Sequence, residues 1–277
     1  MKRAAVITDV SSLGNCSGST DIAVLSAMGF ECCIIPTAVL SAQTGFNDSF
    51  MCSFYDSFDS MIDSLQKISP KTDAVLVGFM SGKRQTERVL SYVGRFVGTD
   101  TLIVTDPITG DNGRRFPFVS ADMLSDIRLI SEHSDIITPN LTEFCLLTET
   151  DYSMILSAGD NMKYSLIADR CSSFFDKGVR TVIVTGIELS DNSLSNLCVR
   201  KNGFTVCKIK RHGGSYSGTG DLFTAIVCGS VMQGLSEDEA VSKAAGFIEK
   251  VLCENADNIY DRNYGIPYQK YLGLLTE

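Results

Sequence analysis

The stretch Thr101-Leu-Ile-Val-Thr-Asp106 contains consecutive apolar and β-branched residues and ends in an aspartate. A strand with one face in water alternates apolar and polar residues, whereas an unbroken apolar run is typical of a strand covered on both faces. The same pattern recurs at residues 4–8, 32–37, 73–78, 135–138 and 181–186. Strands of this kind indicate a parallel sheet that helices cover on each side.

Helical patterns lie between these strands, at residues 19–28, 55–68, 84–97, 121–132 and 162–176. Strands that alternate with helices predict βαβ crossovers. Two later apolar runs flank Asn202-Gly203, a hairpin signal, and predict an antiparallel edge. Helices at residues 221–233 and 237–253 follow. We therefore expect an α/β fold: one three-layer αβα domain over residues 1–277, with a mostly parallel central sheet.

Composition restricts the function classes. Of the 277 residues, 44% are hydrophobic and 21% charged, which is enough for a core without disulfides or metal ions. The net charge of -9 disfavours nucleic-acid binding, and ten cysteines without a Cys-x-x-Cys pair disfavour structural zinc. No apolar stretch approaches the roughly 18 residues of a membrane span, and the amino-terminal run is too short for a signal peptide. We expect a cytoplasmic protein without nucleic-acid or membrane partners.

A glycine-rich stretch gives the sharpest functional signal. Residues 213–221 read Gly-Gly-Ser-Tyr-Ser-Gly-Thr-Gly-Asp, directly before an apolar helical pattern. Glycines let successive backbone N–H groups point at one spot, and the helix amino end adds a positive dipole. Such a loop predicts an anion hole for a phosphoryl group, with donors worth about 3 kcal/mol each. Asp221 at its rim could accept a proton from an attacking hydroxyl; the alternative is an ordinary loop with Asp221 as helix N-cap.

Three acids follow predicted strands on one side of the sheet: Asp106, Asp111 and Glu143. Ligands of parallel sheets bind beyond the carboxyl ends of the strands. Magnesium that accompanies ATP takes one or two protein carboxylates and keeps several waters. These acids therefore predict a magnesium site, although each acid alone also fits a cap or turn.

Four blocks of the sequence together resemble the pyridoxal kinases of the ribokinase-like superfamily. They are residues 217–223 (SGTGDLF), 135–143 (DIITPNLTE), 105–111 (TDPITGD) and 36–45 (PTAVLSAQTG). The blocks occur in family order, and the resemblance runs from about residue 4 to residue 250. The Gly-x-Gly-Asp piece is shared across the superfamily, whereas the combination of blocks is more specific.

The resemblance implies a ribokinase-like fold and ATP-dependent phosphorylation of the 5′-hydroxyl of pyridoxal, pyridoxamine or pyridoxine. The catalytic set it implies is Asp221 as base, with an anion hole of Gly218, Thr219 and Gly220. The ATP and magnesium set is Asp106, Asp111, Glu143, Thr138, Thr185, Gly186 and Thr219, the first three holding the metal directly or through water. The substrate set is Asp9, Thr44, Phe79 and Asp221. The resemblance also implies a homodimer and leaves a monovalent cation open.

The substrate end departs from that family. Many relatives carry Ser-His in place of Asp9-Val10 and a tyrosine in place of Phe79. An acid beside the pyridine would favour an amine substrate. The residues closer to a bacterial branch usually called pyridoxamine kinases are Asp9, Ser12, Gly14 and Cys16.

Two other functions stay open. One is a kinase for hydroxymethylpyrimidine or another small hydroxymethyl compound, such as a sugar. The other is a non-catalytic vitamin-binding protein that keeps the pocket without turnover. The intact Gly-Thr-Gly-Asp sequence at residues 218–221 argues against a hydroxymethylpyrimidine kinase and against a non-catalytic protein. A substrate panel separates a kinase for another hydroxymethyl compound.

Overall fold

Strands and helices alternate along most of the chain in the computed structural model, which describes residues 1–68, 71–82, 85–255 and 261–276. The strands are β1 (Arg3–Ser11), β2 (Glu31–Leu40), β3 (Met51–Ser53), β4 (Thr72–Val77), β5 (Val97–Thr105), β6 (Gly110–Asp111), β7 (Arg114–Arg115), β8 (Ile136–Ile137), β9 (Thr181–Glu188), β10 (Ser193–Arg200) and β11 (Gly203–Lys210). The helices are α1 (Ser17–Ala27), α2 (Phe58–Ile68), α3 (Gln85–Phe96), α4 (Ala121–Glu132), α5 (Leu141–Thr148), α6 (Tyr152–Leu156), α7 (Asp160–Arg170), α8 (Ser172–Phe175), α9 (Thr219–Gln233) and α10 (Glu237–Asn255).

Nine of these strands form one sheet in the order β11-β10-β9-β8-β5-β4-β1-β2-β3. The central strands, from β9 to β2, pair in parallel. The hairpin of β10 and β11 is the expected antiparallel edge. The opposite edge is antiparallel as well, because β3 pairs with β2 in that sense. The sequence does not predict β3, since it has three residues, all of them exposed.

Successive residues of β1 face opposite layers of helices. Ala4 and Val6 pack in a cluster with residues of α1, α9 and α10. Ala5 and Ile7 pack in another cluster with residues of α2 and α3. Burial on both faces explains why the run is apolar at every position. The predicted fold class, a three-layer αβα arrangement around a mostly parallel sheet, is confirmed.

Some helix boundaries differ from the predicted ones. The helix expected from residue 221 begins at Thr219, so the end of the glycine loop forms its first turn. The helix expected at 162–176 begins at Asp160 and is divided after Arg170. The helix expected from residue 84 is described from Gln85 onward, since residue 84 lies outside the described residues. The helices α5 and α6 have no predicted counterpart, because the pattern at residues 140–143 indicates strand-end chemistry instead.

Of the helices in the described part of the chain, none combines the length and the apolarity that crossing a membrane requires. The ten cysteines are all free thiols. Five of them are buried: Cys16, Cys145, Cys171, Cys198 and Cys228.

Candidate active site

The carboxyl ends of β1, β4, β5, β8 and β9 border a single cavity of about 710 Å³. This is the side of the sheet on which parallel α/β folds bind ligands, and the size is typical of a small-molecule site. The cavity brings together all of the site residues proposed from the sequence: Asp9, Thr44, Phe79, Asp106, Asp111, Thr138, Glu143, Thr185, Gly186, Gly218, Thr219, Gly220 and Asp221.

The glycine loop enters α9 through a left-handed residue. Gly218 has φ of 77° and is the N-cap of α9, without a capping side chain. A Cβ on Gly218 would lie 1.9 Å from the backbone oxygen of Asn15, so only glycine fits this position. The first N–H groups of α9 therefore border the cavity without a side-chain acceptor from their own cap. An amino end with free N–H groups has the geometry that the predicted anion hole requires.

Asp221 lies in the first turn of α9 and faces the cavity. Because the N-cap is Gly218, the alternative that Asp221 caps the helix is wrong. The backbone N–H of Ser17 donates a 2.9 Å hydrogen bond to Oδ2 of Asp221. Burial raises the pKa of Asp221 to about 6, and the charge of Asp9 adds to this while the Ser17 hydrogen bond opposes it. Such a carboxyl can take up and release a proton near neutral pH.

Asp106 lies directly after β5, on the floor of the cavity. The hydroxyl of Thr224 donates to its Oδ2 at 3.4 Å, and that hydroxyl also lies 2.8 Å from Oγ1 of Thr138. Burial raises the pKa of Asp106 well above its ordinary value, and the nearby charge of Asp221 raises it further. The two acids therefore create a place where a bound cation would be stabilised.

Glu143 is part of the amino-terminal cap of α5 and also lines the cavity. Its backbone N–H bonds to the side chain of Asn140, and its Oε2 accepts from the Asn140 N–H at 2.8 Å, which completes a capping box. Its Oε1 accepts from the Thr109 N–H at 3.2 Å. Burial raises the pKa of Glu143 well above its ordinary value, and the charge of Asp106 adds to this. Glu143 therefore caps α5 and also lines the cavity, and its role as a metal ligand stays a prediction.

The donors at this place fit magnesium. They are carboxylate oxygens, and two of the three acids, Asp106 and Glu143, are buried. Among the residues that the structure describes, no three His, Cys, Asp or Glu side chains lie close enough to hold a metal ion by themselves. The set therefore suits an ion that takes one or two protein carboxylates and fills its other positions with water and phosphate oxygens.

An aromatic wall closes the cavity beside β1 and β4. The N–H of Phe79 donates to Oγ1 of Thr8 at 3.0 Å, and the hydroxyl of Thr37 donates to the Phe79 carbonyl at 2.7 Å. The Phe118 ring lies 5.4 Å from the Phe79 ring and stacks on Phe116 at 5.5 Å. Phe116 and Phe118 are not among the predicted site residues; the Phe-Pro-Phe tripeptide at 116–118 is the local signal that could have found them.

Asp9 lies at the same end and is only 3% exposed. The hydroxyl of Ser11 donates to its Oδ2 at 3.0 Å. Burial raises the pKa of Asp9, and hydrogen bonds from neighbouring hydroxyls oppose that rise. This end of the cavity thus holds two carboxyls, those of Asp9 and Asp221.

The opposite end of the cavity lies beside β9 to β11. The Gly186 N–H donates to Oδ1 of Asn196 at 3.2 Å, and Arg211 forms a 2.8 Å ion pair with Glu188. The apolar lining here consists of Leu194, Ile209, Phe223, Ala245, Ile248 and Leu252. A polar rim over apolar walls suits a flat aromatic group such as a nucleobase.

A further acid near the site was not predicted. Asp21 in α1 is 1% exposed, and its Oδ1 has no hydrogen-bond partner among the residues that the structure describes. Burial raises the pKa of Asp21 well above its ordinary value, and the charges of Asp221 and Asp106 add to this. Inside a helical pattern a single Asp looks like a surface residue, so the sequence carries no sign of its burial.

A sequence model of the phosphomethylpyrimidine kinase family matches residues 14–264. The chain belongs to this family. The match includes every site residue proposed from the sequence except Asp9, which precedes it.

Relatives of this family member are named for both vitamin and pyrimidine substrates. The pyridoxine/pyridoxal/pyridoxamine kinase of Bordetella avium is 21% identical over 86% of this chain and 80% of its own. A Bacteroides thetaiotaomicron protein, provisionally named a phosphomethylpyrimidine kinase, is 31% identical with a TM-score of 0.92, covering 100% of this chain and 94% of its own. An orthorhombic crystal form of that protein is described with pyridoxal.

The pyridoxal kinase of Lactobacillus plantarum shares the fold, with a TM-score of 0.88 at 22% identity over 99% of this chain and 96% of its own. This phosphomethylpyrimidine kinase family member is therefore a kinase with the ribokinase-like fold, as the four sequence blocks predict.

Proposed function

We propose that the chain transfers the terminal phosphoryl group of ATP to the 5′-hydroxyl of a vitamin B6 vitamer (pyridoxal, pyridoxamine or pyridoxine). The product would be the 5′-phosphate, in the salvage of pyridoxal phosphate. The observation that carries the proposal is the Asp221 carboxylate, which lies in the first turn of α9 beside the uncapped amino end of that helix. The name of the Bordetella avium relative and the pyridoxal in the orthorhombic crystal form of the Bacteroides thetaiotaomicron relative support the choice of acceptor.

Asp221 would act as the general base. Its carboxylate accepts the proton of the substrate hydroxyl as that oxygen attacks the terminal phosphorus of ATP. The Ser17 hydrogen bond holds the carboxylate in place, and a pKa of about 6 leaves it ionised at neutral pH. Placement of the two reactants together with charge neutralisation supplies most of the rate in phosphoryl transfer.

The backbone N–H groups at Gly218, Thr219 and Gly220 would hold the phosphoryl group during transfer. Thr138, Thr185 and Gly186 line the same cavity, where they would contact the nucleotide phosphates. Asp106, Asp111 and Glu143 would hold magnesium, directly or through water. When bound, magnesium neutralises phosphate charge and orients the terminal phosphate.

The aromatic wall would bind the pyridine ring. Phe79 and Phe118 provide flat apolar surface, and Thr44 and Asp9 provide polar groups at its edge. In this arrangement the ring lies beside Asp221, as transfer to a ring substituent requires. The predicted homodimer stays a prediction, which sedimentation equilibrium would check.

A hydroxymethylpyrimidine is the second candidate acceptor, because the matching family model carries the name phosphomethylpyrimidine kinase. Its ring is also flat and carries a hydroxymethyl group, so the same wall and base would serve it.

The test is release of ADP from Mg-ATP with each B6 vitamer and with hydroxymethylpyrimidine. Asp221→Asn is the main variant, and Asp169→Asn, at an exposed position in α7, is the matched control. We expect turnover on B6 vitamers, a loss of about 10²- to 10⁴-fold in Asp221→Asn, and no loss in the control. Turnover on the pyrimidine alone would select the second candidate, and no turnover on any of these compounds would reject both.

A further inference from the structure

Three segments that are far apart in sequence meet beside the glycine loop. The Asn15 N–H donates to the carbonyl of Tyr264 at 2.9 Å, and the Ser217 N–H donates to the carbonyl of Arg262 at 3.1 Å. Residues 262–269, called the carboxyl-terminal clasp below, thus bond both to the loop before α1 and to the loop before α9. Arg262 also lines the cavity.

The side chain of Asn15 bonds through both of its polar atoms. Its Nδ2 donates to the Ile266 carbonyl at 2.9 Å, and its Oδ1 accepts from the Gln269 side chain at 2.6 Å. Together with the bond of its N–H to Tyr264, these contacts fix Asn15 to the clasp at three points. An asparagine is suited to this place because it offers a donor and an acceptor on one short side chain.

The backbones at this junction are packed too closely for side chains. Gly265 has φ of 74°, and a Cβ there would lie 2.8 Å from the Asn15 carbonyl oxygen and 2.9 Å from that of Ser217. Gly218 is held against the same Asn15 oxygen. The Asn15 carbonyl therefore contacts both the clasp and the residue that caps α9.

The clasp is tied to the core at its far end. Ile266 and Tyr268 are 1% and 3% exposed and belong to the cluster that also contains α9. The Tyr268 hydroxyl donates to Oγ1 of Thr20 in α1 at 3.2 Å. The clasp therefore rests on the same helices that carry Ser17 and Asp221.

We propose that Asn15 is a positioning residue, which holds the clasp against the glycine loop and so sets where the N–H groups of Gly218 to Gly220 lie. The proposal rests on the kinase function proposed above. Asn15 contacts the loop and not the reacting atoms, so it acts on the transferred phosphoryl group through the backbone of Gly218.

The experiment compares Asn15→Ala with Gly265→Ala, which removes no polar contact and pushes the clasp away from the Asn15 and Ser217 carbonyls. Gly273→Ala is the matched control, since a Cβ there meets nothing within 4 Å. Asn15→Asp keeps the acceptor for Gln269 and loses the donor to Ile266; it serves as the milder variant if Asn15→Ala does not fold. The readouts are kcat and KM per folded molecule, thermal unfolding, and hydrogen exchange at the Ser217 amide.

We expect kcat to fall about 10- to 100-fold in Asn15→Ala and Gly265→Ala, with KM for ATP changed by less than about threefold, because misplacement near 1 Å costs a reaction of this kind about 10²-fold. Exchange at the Ser217 amide should rise in the same variants and stay unchanged in Gly273→Ala. A lower unfolding temperature with unchanged kcat would overturn the proposal, since it would show a merely structural role.

The unmodified chain is assayed first on the full substrate panel. If it turns over no acceptor, the proposed function fails, and hydrogen exchange alone then decides on the clasp. Unchanged exchange at Ser217 in Asn15→Ala would overturn the positioning role regardless of the substrate.

Discussion

The backbone N–H of Ser17 donates a 2.9 Å hydrogen bond to the carboxylate of Asp221, across 204 positions of sequence. Ser17 begins α1 with φ of 55°, a value uncommon outside glycine. The hydrogen bond favours the ionised carboxylate, whereas burial favours the protonated form and raises the pKa of Asp221 to about 6. The balance leaves the group charged at neutral pH while its proton affinity exceeds that of a surface aspartate.

This balance predicts the pH dependence of turnover. Below pH 6 Asp221 is mostly protonated and cannot act as a base, so kcat/KM for the acceptor should rise between about pH 5 and 7 and then level off. Saturating magnesium should move this rise in kcat/KM to lower pH, because a nearby cation favours the ionised form of Asp221. The measurement is kcat/KM from about pH 5 to 8.5 at low and high magnesium. The same rise in Asp221→Asn would assign the titration to another group.

Asp9 should control the choice among vitamers. Two carboxyls, those of Asp9 and Asp221, lie at the acceptor end, and one of them suffices as base. The second would attract a cationic substituent such as the aminomethyl group of pyridoxamine. We expect Asp9→Asn to lower the ratio of kcat/KM for pyridoxamine to that for pyridoxal by about tenfold, which is about 1.4 kcal/mol. An unchanged ratio in parallel assays of the two vitamers would exclude this role.

Asp21 should make the fold less stable as pH rises. Its pKa is raised in the folded state, so above about pH 4 the folded chain holds a proton that the unfolded chain releases, and the free energy of unfolding falls with pH. Asp21→Asn imitates the protonated side chain and should be more stable by about 1–3 kcal/mol at pH 8.

Urea unfolding of both proteins at pH 5 and pH 8 checks this prediction. The gap between Asp21→Asn and the unmodified chain should be smaller at pH 5 than at pH 8. A gap that is equal at both values would show that the effect does not come from titration of Asp21.

Glu143→Gln should raise the magnesium concentration needed for half-maximal activity by about tenfold or more, since it removes a carboxylate charge and keeps an oxygen that can cap α5. Glu239→Gln is the matched control, because Glu239 also bonds back to the Ser236 N–H at the start of α10 and lies away from the cavity. Magnesium titrations of both variants separate the two roles. An equal shift in both variants would mean that the change does not come from the place of Glu143 in the cavity.

The parts of the fold that can be predicted from the sequence are those whose burial requires a recognisable local pattern of apolar residues. The residues of β1 are apolar at every position because both faces are covered, and the hairpin at Asn202-Gly203 has a specific turn chemistry. β3 has neither feature, since its three residues are exposed. At α5, Asn140 and Glu143 both cap the helix and border the cavity. The same residues also fit a ligand site after a strand, so the sequence pattern does not reveal that a helix begins there.

The site follows the same rule. Residues after strands, such as Asp106, are predictable because parallel strands bring their carboxyl ends to one edge. Contacts between segments that are distant in sequence produce no recognisable pattern in the local sequence. The bond between Asn15 and Ile266 joins residues 251 positions apart, and α1, which carries Asp21, packs in one cluster with helices that follow much later in the chain.

The burial of α9 has a consequence for how a nucleotide binds. Ten of its fifteen residues are buried, from Leu222 to Met232, so the helix cannot shift without disturbing the core. The N–H groups at its amino end are therefore ordered before any nucleotide arrives, and binding should cost little conformational entropy at that end of the cavity. The hairpin of β6 and β7 borders the same cavity through Asp111 and carries two exposed arginines, so we expect any ordering on binding there rather than at α9.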